Sequence, residues 1–411
     1  MLFIFKSNPA WLIRSLLLYR IIIKPWLRKP IFFIYKRLNA KIVTRDRLAC
    51  GDRVQFFGDI ETVIANEPHT TTKSEQVKEI EAFTLNILPP FICEVANADL
   101  VGPAAVAFDA DGGMILESTT PFYSHENHLE GSVSIRGLAI KNFTQTNTYQ
   151  ADVASSLVNA WSRNYWHWMI DCLTRLEGIE YYYQQTGVKP KLIIDANPTS
   201  WQRESLELLG YDADDCLEWN RSRMRVKKLI VSSFRRYYDR VYSVESPSAC
   251  RWIRQRILSN MTEDANVSLP KNIFISRRRA EGRRLLNEEQ AIAALAKFGF
   301  VAYILEEMSF IDQVRLFAQA KIVVAPHGAG LTNIIFAENL TVIELFGSSV
   351  APCFANLARG LGFHYGYIKC ESPYSALRHH DSDMIVDIPQ LENFLVTMLD
   401  ASTNRSLEMC L

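Results

Sequence analysis

Three stretches of the sequence place side chains where they could hold and transfer a charged group. The first is a glycine turn within residues 321–336, where an apolar strand leads to a helical segment. Glycines let a ligand approach the backbone, and the start of a helix directs free N–H groups and a positive dipole end at that ligand. The pattern predicts an anion site that suits phosphates. Its candidate ligands are His327, Gly328, Ala329, Gly330, Leu331, Thr332 and Asn333.

Two alternatives exist for this glycine turn. Gly328 and Gly330 also begin the glycine fingerprint of dinucleotide-binding folds. Against a nicotinamide cofactor, Asn333 stands where the third glycine belongs, and the turn follows the third strand of its domain rather than the first. The second alternative is a tight turn that binds nothing.

The second stretch is an apolar strand, residues 273–275, that ends in Ser276 and a run of arginines. Arginine matches phosphate oxygens in a bidentate way and stays charged. Because the carboxyl ends of parallel strands face one crevice, these side chains should lie near the glycine turn. Arg277 is therefore the first candidate for a diphosphate contact, with Arg278 and Ser276 beside it.

Two acids end neighbouring strands. Glu344 follows residues 341–343, and a carboxylate there could accept hydrogen bonds from ribose hydroxyls. Glu306 ends another strand and is a further candidate. The alternative for both is an ordinary surface carboxylate.

The third stretch is an aromatic helix, residues 164–176. His167 and Asp171 are four residues apart on one helix face, with Asn164 and Arg175 near the same stripe. A histidine beside a carboxylate can accept a proton near neutral pH, so His167 and Asp171 are the candidate catalytic residues. Trp168 could stack on a sugar or base, or belong to the core. A purely structural histidine is the alternative for the pair.

Metal and zinc sites are not predicted. Asp109 with Asp111, and Asp381 with Asp383, match a short D-x-D pattern of metal-dependent sugar transfer, but neither lies at a strand end near the glycine turn, so both are expected to be turns. None of the eight cysteines forms Cys-x-x-Cys, which argues against zinc and against a disulfide framework. With no signal sequence visible, we expect free thiols in a reducing compartment.

Charge is balanced overall but unevenly distributed. The 411 residues contain 45 Lys and Arg against 45 Asp and Glu, yet residues 1–45 carry ten basic residues and no acid. A membrane span needs about 20 nearly uncharged residues, whereas this segment mixes basic side chains with Trp, Phe and Leu. That mixture is typical of a segment lying on an anionic membrane, so we expect a cytoplasmic protein, peripheral on the inner membrane face. The alternative is a basic arm packed on the protein's own acidic body, and no nucleic-acid partner is expected.

The chain length and its patterns predict an α/β protein of two domains after the basic segment. Residues 46–258 contain short alternating runs and then helical stretches, and a polar linker covers residues 259–270. Residues 271–411 alternate regularly between strands and helices of about ten residues, which predicts a doubly wound parallel sheet. The strands are expected at 272–275, 301–305, 321–325, 341–345 and 365–368.

Segments 164–176, 273–290 and 323–346 together resemble glycosyltransferase family 61. The resemblance implies a GT-B architecture, in which two Rossmann-like domains face a cleft and the second binds a nucleotide sugar. It also implies inverting transfer without a metal or other cofactor. Family members act on proteins, on plant glycans, and in bacterial capsule or lipopolysaccharide assembly. Because residues 1–45 lack the single-pass anchor of eukaryotic members, the bacterial branch is favoured, with a glycan or lipid-linked acceptor.

Within that resemblance, residues 46–258 would form the acceptor side and residues 271–411 the nucleotide-sugar side. His167 would be the base with Asp171 orienting it, or the reverse. Two other functions stay open. A polysaccharide pyruvyltransferase uses a similar two-domain shell, and a non-catalytic scaffold of a polysaccharide assembly complex is the third possibility.

Overall fold

The computed structural model describes residues 42–49, 53–71, 80–119, 149–220, 223–238, 243–261, 268–373 and 382–408. Most of the basic segment 1–45 lies outside these ranges, so the predicted membrane contact stays a prediction. Across the described part of the chain, none of the helices is long and apolar enough to cross a bilayer. The predicted α/β class is confirmed, because parallel strands and helices alternate through much of the chain.

The first half of the chain builds a mixed sheet from short strands. In chain order, the strands of this half are β1 (Ile42–Val43), β2 (Val54–Phe56), β3 (Glu61–Ala65), β4 (His69–Thr70), β5 (Phe83–Ile87), β6 (Phe91–Val101), β7 (Val106–Phe108), β8 (Met114–Ile115), β9 (Tyr149–Ser156), β10 (Lys191–Asp195), β11 (Cys216–Trp219), β12 (Arg223–Ser232), β13 (Arg236–Tyr238) and β14 (Ser243–Glu245). Two small hairpin sheets pair β3 with β5 and β13 with β14. The large sheet has the order β1-β8-β7-β6-β12-β9-β10-β11, with β2 also paired to β6. Strands β9 to β12 are parallel to one another, whereas β6 is antiparallel to both β12 and β7.

The second half forms the parallel sheet that the sequence predicts. Its strands are β15 (Asn272–Ile275), β16 (Phe300–Tyr303), β17 (Ile322–Pro326), β18 (Thr341–Phe346) and β19 (His364–Lys369). They run parallel in the order β16-β15-β17-β18-β19, and β4 from the first half joins beside β19. All residues of β17 and β18 are buried, as expected for central parallel strands covered on both faces.

The helices cover both faces of this sheet. In chain order, the α-helices of the described residues are α1 (Arg45–Ala49), α2 (Tyr165–His167), α3 (Leu176–Thr186), α4 (Ser200–Leu208), α5 (Pro247–Asn260), α6 (Glu288–Ala296), α7 (Phe310–Gln319), α8 (Cys353–Gly360) and α9 (Ile388–Glu408). Helices α6 and α9 share one core with Phe274 and Val324. On the opposite face, Val323 packs in a core that also contains Trp166 and Ile253 from the first half. The two halves of the chain therefore pack directly on one another around a common core.

Two segments differ from the helices that the sequence predicts. Residues 164–176 begin as α2, continue as a π-helical turn, Trp168–Cys172, and then as a 3₁₀ turn, Leu173–Arg175. Short π-helical turns recur at functional sites. The segment after Gly328 forms a 3₁₀ helix, Ala329–Phe336, instead of an α-helix.

Candidate functional site

The histidine–carboxylate pair expected from the sequence is present at the start of α2. The Asn164 side chain caps this helix, because its Oδ1 accepts hydrogen bonds from the N–H groups of Trp166 and His167 at 3.0 and 3.4 Å. Asp171 follows in the π-helical turn, and its Oδ2 lies 2.6 Å from His167 Nδ1. The His167 side chain is only 16% exposed and that of Asp171 only 1%. The local chain therefore fixes the imidazole through one ring nitrogen.

A second charge pair holds Asp171 from the other side. The Nη1 of Arg236 donates to Asp171 Oδ1 at 2.6 Å, and its Nη2 donates to Glu245 Oε1 at 2.6 Å and to Ser243 Oγ. Burial alone would lower the pKa of Arg236, but the negative charges of Asp171 and Glu245 outweigh burial and raise it. Burial raises the pKa of Glu245 to about 7, although Arg236 opposes that shift. Nothing in the sequence spacing indicates this contact, because Arg236 lies 65 residues from Asp171.

Trp168 and Arg175, both predicted site candidates, belong to the protein interior instead. Trp168 is fully buried and its Nε1 donates to Ser205 Oγ at 2.9 Å, so it offers no face to a sugar. The buried Arg175 guanidinium donates to the Ser232 carbonyl at 2.9 Å and lies over the Phe234 ring. Helical periodicity marks the stripe that these residues occupy, but only the packing of β9 and β12 decides that the stripe is buried there.

An aromatic neighbour of His167 was missed in the sequence. The Trp161 ring centroid lies 4.8 Å from that of His167, and Trp161 is 37% exposed. Its position three residues before Asn164 was the available signal. Trp161 thus provides an accessible aromatic face next to the imidazole.

The carboxyl ends of the parallel strands form a pocket, as their parallel order predicts. A small, open depression lies beyond the carboxyl ends of β15 and β17. It brings together six predicted residues, with apolar walls: Ser276, Arg277, Glu306, Gly328, Gly330 and Leu331. Its complete lining is Ile275, Ser276, Arg277, Leu305, Glu306, Ala325, Pro326, Gly328, Gly330 and Leu331.

Arg277 is held at the edge of this pocket by backbone groups. Its Nη2 donates to the Gly282 carbonyl at 3.0 Å and its Nε to the Arg283 carbonyl at 3.3 Å. A Cβ on residue 328 would overlap Arg277 Nη1 and lie 2.9 Å from Cζ, so a side chain there would displace the guanidinium. The guanidinium is therefore already ordered over the glycine turn.

The neighbouring polar groups of β15 have partners within the protein. Ser276 is buried and its Oγ donates to Glu288 at 2.9 Å, while Arg278 Nε donates to the same carboxylate at 2.9 Å. Arg279 is paired with Glu307. Of the arginines after β15, Arg277 is the one that lines the pocket.

A second histidine–carboxylate pair stands directly before the glycine turn. His327 Nδ1 lies 2.5 Å from Glu344 Oε1, and the Tyr365 hydroxyl donates to Glu344 Oε2 at 2.6 Å. Burial raises the pKa of Tyr365, and the charge of Glu344 adds to the shift. Because Glu344 is fully buried with both oxygens bonded, it positions His327 and is not open to a ribose as expected.

Of the remaining residues predicted around the glycine turn, some lie at the surface and others in the protein interior. Ala329 and Gly330 are partly exposed, whereas Leu331, Thr332 and Asn333 are buried. Asn333 is a bridge: its Oδ1 accepts a hydrogen bond from the Tyr165 hydroxyl, and its Nδ2 donates to Gln313 Oε1 at 2.9 Å. The anion site predicted over seven residues therefore narrows to the backbone around Gly328, Ala329 and Gly330.

The two histidine pairs lie in one region of the molecule. The Phe354 ring on α8 lies 5.0 Å from the Trp166 ring and 5.1 Å from the His327 ring. Together with the Tyr165–Asn333 hydrogen bond, this contact joins α2 to the glycine turn. The fold thus joins the segment that carries the candidate base to the segment of the glycine turn through shared aromatic packing.

The first D-x-D stretch is a turn, as expected, and Asp109 Oδ1 accepts the Gly113 N–H at 2.5 Å between β7 and β8. In the second stretch, Asp383 lies outside any turn and pairs with Arg284 at 2.7 Å. Asp381 lies outside the described residues. Within the part of the chain that the structure describes, no group of three or more His, Cys, Asp or Glu side chains is arranged to hold a metal ion.

Comparison with known proteins identifies the family of this region. Residues 165–343 match the sequence model of the family Glycosyltransferase 61. The EGF domain-specific O-linked N-acetylglucosamine transferase of Bos taurus is 29% identical over 170 residues, which cover 38% of this chain and 32% of the relative. The Mus musculus protein of that name is 28% identical over the same shares.

The match is limited to part of each protein. A shorter stretch of 92 residues is 33% identical to the Drosophila melanogaster protein of that name and covers 21% of this chain and 18% of the relative. The matches therefore span about a third or less of the curated relatives. The family-model match includes His167, Asp171, Arg277 and the glycine turn. Residues 165–343, which hold the candidate base and the phosphate pocket, are thus similar in sequence to glycosyltransferase family 61.

Proposed function

We propose that this protein is an inverting, metal-independent glycosyltransferase that moves a sugar from a nucleotide-sugar donor to an acceptor hydroxyl. The observation that carries the proposal is the His167–Asp171 pair joined to a pocket formed by Arg277 and the glycine turn, all within a family 61 domain. A base and an anion site are the two groups that such a displacement needs.

The donor diphosphate would lie in the pocket at Gly328 and Gly330. Backbone N–H groups at the start of the 3₁₀ helix and the ordered Arg277 guanidinium then meet the negative charge that grows on the leaving diphosphate. Elsewhere a divalent cation supplies this charge. His327, oriented by Glu344, stands at the entrance of the turn and adds a donor.

The acceptor would be activated at His167. Its Nε2 takes the hydroxyl proton while the acceptor oxygen attacks the anomeric carbon and the bond to the diphosphate oxygen breaks. One displacement of this kind inverts the anomeric centre. Asp171 suits the orienting role rather than that of the base, because it is buried and both its oxygens are bonded within the protein. Trp161 beside the imidazole offers a surface for the acceptor sugar.

The proposed domain roles, acceptor and location follow the expectations from the sequence. We propose a GT-B arrangement, with residues 46–258 on the acceptor side and residues 271–411 binding the donor. The acceptor is a glycan or lipid-linked glycan of polysaccharide biosynthesis, and residues 1–45 hold the enzyme at the anionic inner face of a membrane. The names of the relatives make N-acetylglucosamine the first donor sugar to test.

A nucleotide-sugar panel tests the proposal on the full chain. A ligand that binds the folded state raises the unfolding midpoint by mass action, so a nucleoside diphosphate and its cognate sugar conjugate should stabilise the protein. Mass spectrometry of an acceptor mixture should then show a sugar-sized increment. A pyruvyl-sized increment would indicate a pyruvyltransferase, and no stabilisation by any nucleotide would favour a scaffold.

A further inference from the structure

Arg236 and Glu245 form a buried charge cluster with the candidate catalytic pair. The side chains of Arg236, Glu245 and Asp171 are only 3%, 1% and 1% exposed. Arg236 contacts both carboxylates at 2.6 Å, and Asp171 in turn contacts His167 at 2.6 Å. The four side chains therefore form one continuous chain of charge-assisted hydrogen bonds.

The backbone fixes the outer half of this cluster. Arg236 and Glu245 are directly opposite each other in the antiparallel pair β13–β14. The hairpin holds Arg236 in place at the π-helical turn that carries Asp171. The orientation of Asp171 thus depends on a hairpin 65 residues away in sequence.

The charges in the cluster balance only when one more proton is present. With Asp171 and Glu245 ionised and Arg236 charged, the net charge is −1, and one proton on either Glu245 or His167 brings it to zero. In a buried site, an unbalanced charge is costly and a neighbouring opposite charge favours the ionised form. When Glu245 is ionised, the cluster therefore balances the charge of an imidazole that has taken the acceptor proton.

We propose that Arg236 and Glu245 are positioning residues for proton transfer to His167. Arg236 holds Asp171 so that its second oxygen meets His167 Nδ1. Glu245 holds Arg236 and supplies the negative charge that balances a protonated imidazole. This role rests on the proposed function, whereas the electrostatic coupling itself can be measured without any substrate.

Other titratable groups face this cluster and stay unchanged in the variants below. Arg175 and Cys172 lie on the same helical segment as Asp171; Arg175 is charged, whereas burial and the charge of Asp171 raise the pKa of the Cys172 thiol well above its ordinary value. Burial and the charges of Glu344 and Glu245 raise the pKa of the Cys353 thiol on α8, and Arg236 opposes this shift. Burial raises the pKa of Glu245 to about 7, with Arg236 opposing the shift and Asp171 adding to it, so Glu245 is ionised above that pH.

The test is an NMR titration of the imidazole of His167 in the full chain, assigned by its loss in His167→Gln. Glu245→Gln removes the negative charge that Glu245 carries when it is ionised, so the titration midpoint of His167 should fall, by up to about one pH unit. Arg236→Met removes a positive charge and should raise it by about as much. The double variant has the wild-type net charge, so its midpoint should return towards the wild-type value.

The control is Glu177→Gln, which removes the carboxylate partner of the adjacent buried Arg235 but contacts neither Asp171 nor His167. It should leave the His167 midpoint in place. If Arg236→Met alone does not fold, Glu245→Gln and the charge-balanced double variant still decide the matter. A Glu245→Gln midpoint that moves no further than that of the control, or a double-variant midpoint that stays at the Glu245→Gln value, overturns the proposal.

Activity separates this inference from the proposed function. If the transfer reaction is as proposed, the acidic limb of the kcat profile should shift with the NMR midpoint in each variant. Midpoints that shift in a protein that transfers no sugar would support the cluster and contradict the glycosyltransferase assignment. Transfer activity with unchanged midpoints would support the glycosyltransferase assignment and contradict the role proposed for the cluster.

Discussion

The Arg277 guanidinium lies directly against the Cα of Gly328, in the space that a side chain would occupy. A Cβ on residue 328 would lie 2.9 Å from Arg277 Cζ and closer still to Nη1. This contact joins two segments 51 residues apart into one pocket wall. The charge of the arginine and the exposed backbone of the turn thus reach the same point, which is the geometry that a diphosphate requires.

Gly328→Ala should weaken nucleotide binding by displacing Arg277. The loss should approach that of a charge-assisted hydrogen bond, about 10-fold or more in Kd. The comparison variant is Gly360→Ala on α8, whose Cβ would meet the Val63 side chain at 3.3 Å, outside the pocket lining. Isothermal titration of a nucleoside diphosphate measures both. Equal losses in the two variants would mean that the displacement of Arg277 is not the cause.

Arg277→Ala should reduce nucleotide affinity far more than Arg278→Ala. Arg277 lines the pocket, whereas Arg278 is half-exposed and already paired with Glu288. The expected loss for Arg277→Ala is about 10–100-fold in Kd, from the removal of one or two charge-assisted hydrogen bonds. A similar effect of the two changes in a binding titration would place the diphosphate elsewhere.

His167→Ala should lower kcat with little effect on donor affinity. A positioned general base contributes about 10²–10⁴-fold, and the loss should be of that order. Asp171→Asn should also lower kcat, since it removes the charge that stabilises the imidazolium. His69→Ala, at an exposed histidine on β4, is the control. Turnover that survives His167→Ala would remove His167 from the mechanism.

Chelation should leave activity unchanged. The proposed mechanism assigns the charge on the leaving diphosphate to Arg277 and to backbone N–H groups, so no divalent cation is needed for that step. We expect the same initial rate in EDTA and in Mg²⁺. A strict Mg²⁺ requirement would contradict this and return attention to the paired aspartates, Asp109 with Asp111 and Asp381 with Asp383.

Glu245→Gln should change how stability depends on pH. Burial raises the pKa of Glu245 from 4.5 to about 7, so the folded chain binds this proton more tightly than the unfolded chain does. Its stabilising contribution is present below about pH 4.5 and is lost as pH rises through about 7. Glutamine has no such proton. As pH rises between these limits, the free energy of unfolding of the variant should therefore increase relative to that of the wild type, by up to about 3 kcal/mol.

Urea unfolding at a series of pH values from about 4.5 to about 8 measures this difference. Ser243→Ala provides the matched control, because it removes a neutral partner of Arg236 from the same hairpin. Its difference from the wild type should stay nearly constant with pH. A constant difference for Glu245→Gln as well would mean that Glu245 titrates alike in the folded and unfolded chain.

Local patterns were sufficient for much of the fold. Strand β15 has the predicted bounds, and β17, β18, α6 and α7 differ from prediction by one residue or so at their ends, because burial on both faces and helical periodicity are recorded in adjacent residues. The pairing of His167 with Asp171 follows from a four-residue spacing in the same way. The convergence of Arg277 and Gly328 follows from the parallel order of their strands.

Tertiary packing decided which of the candidate side chains are available to a ligand. Trp168, Arg175, Asn333 and Glu344 have the residue types and positions of site residues, yet each is buried and bonded within the protein. The Arg236–Glu245 pair, which holds Asp171, was not visible in the sequence at all. The physical reason is the same in both cases. A side chain's exposure and its long-range partners depend on which distant element packs over it, and the spacing of residues within one segment contains no information about that element.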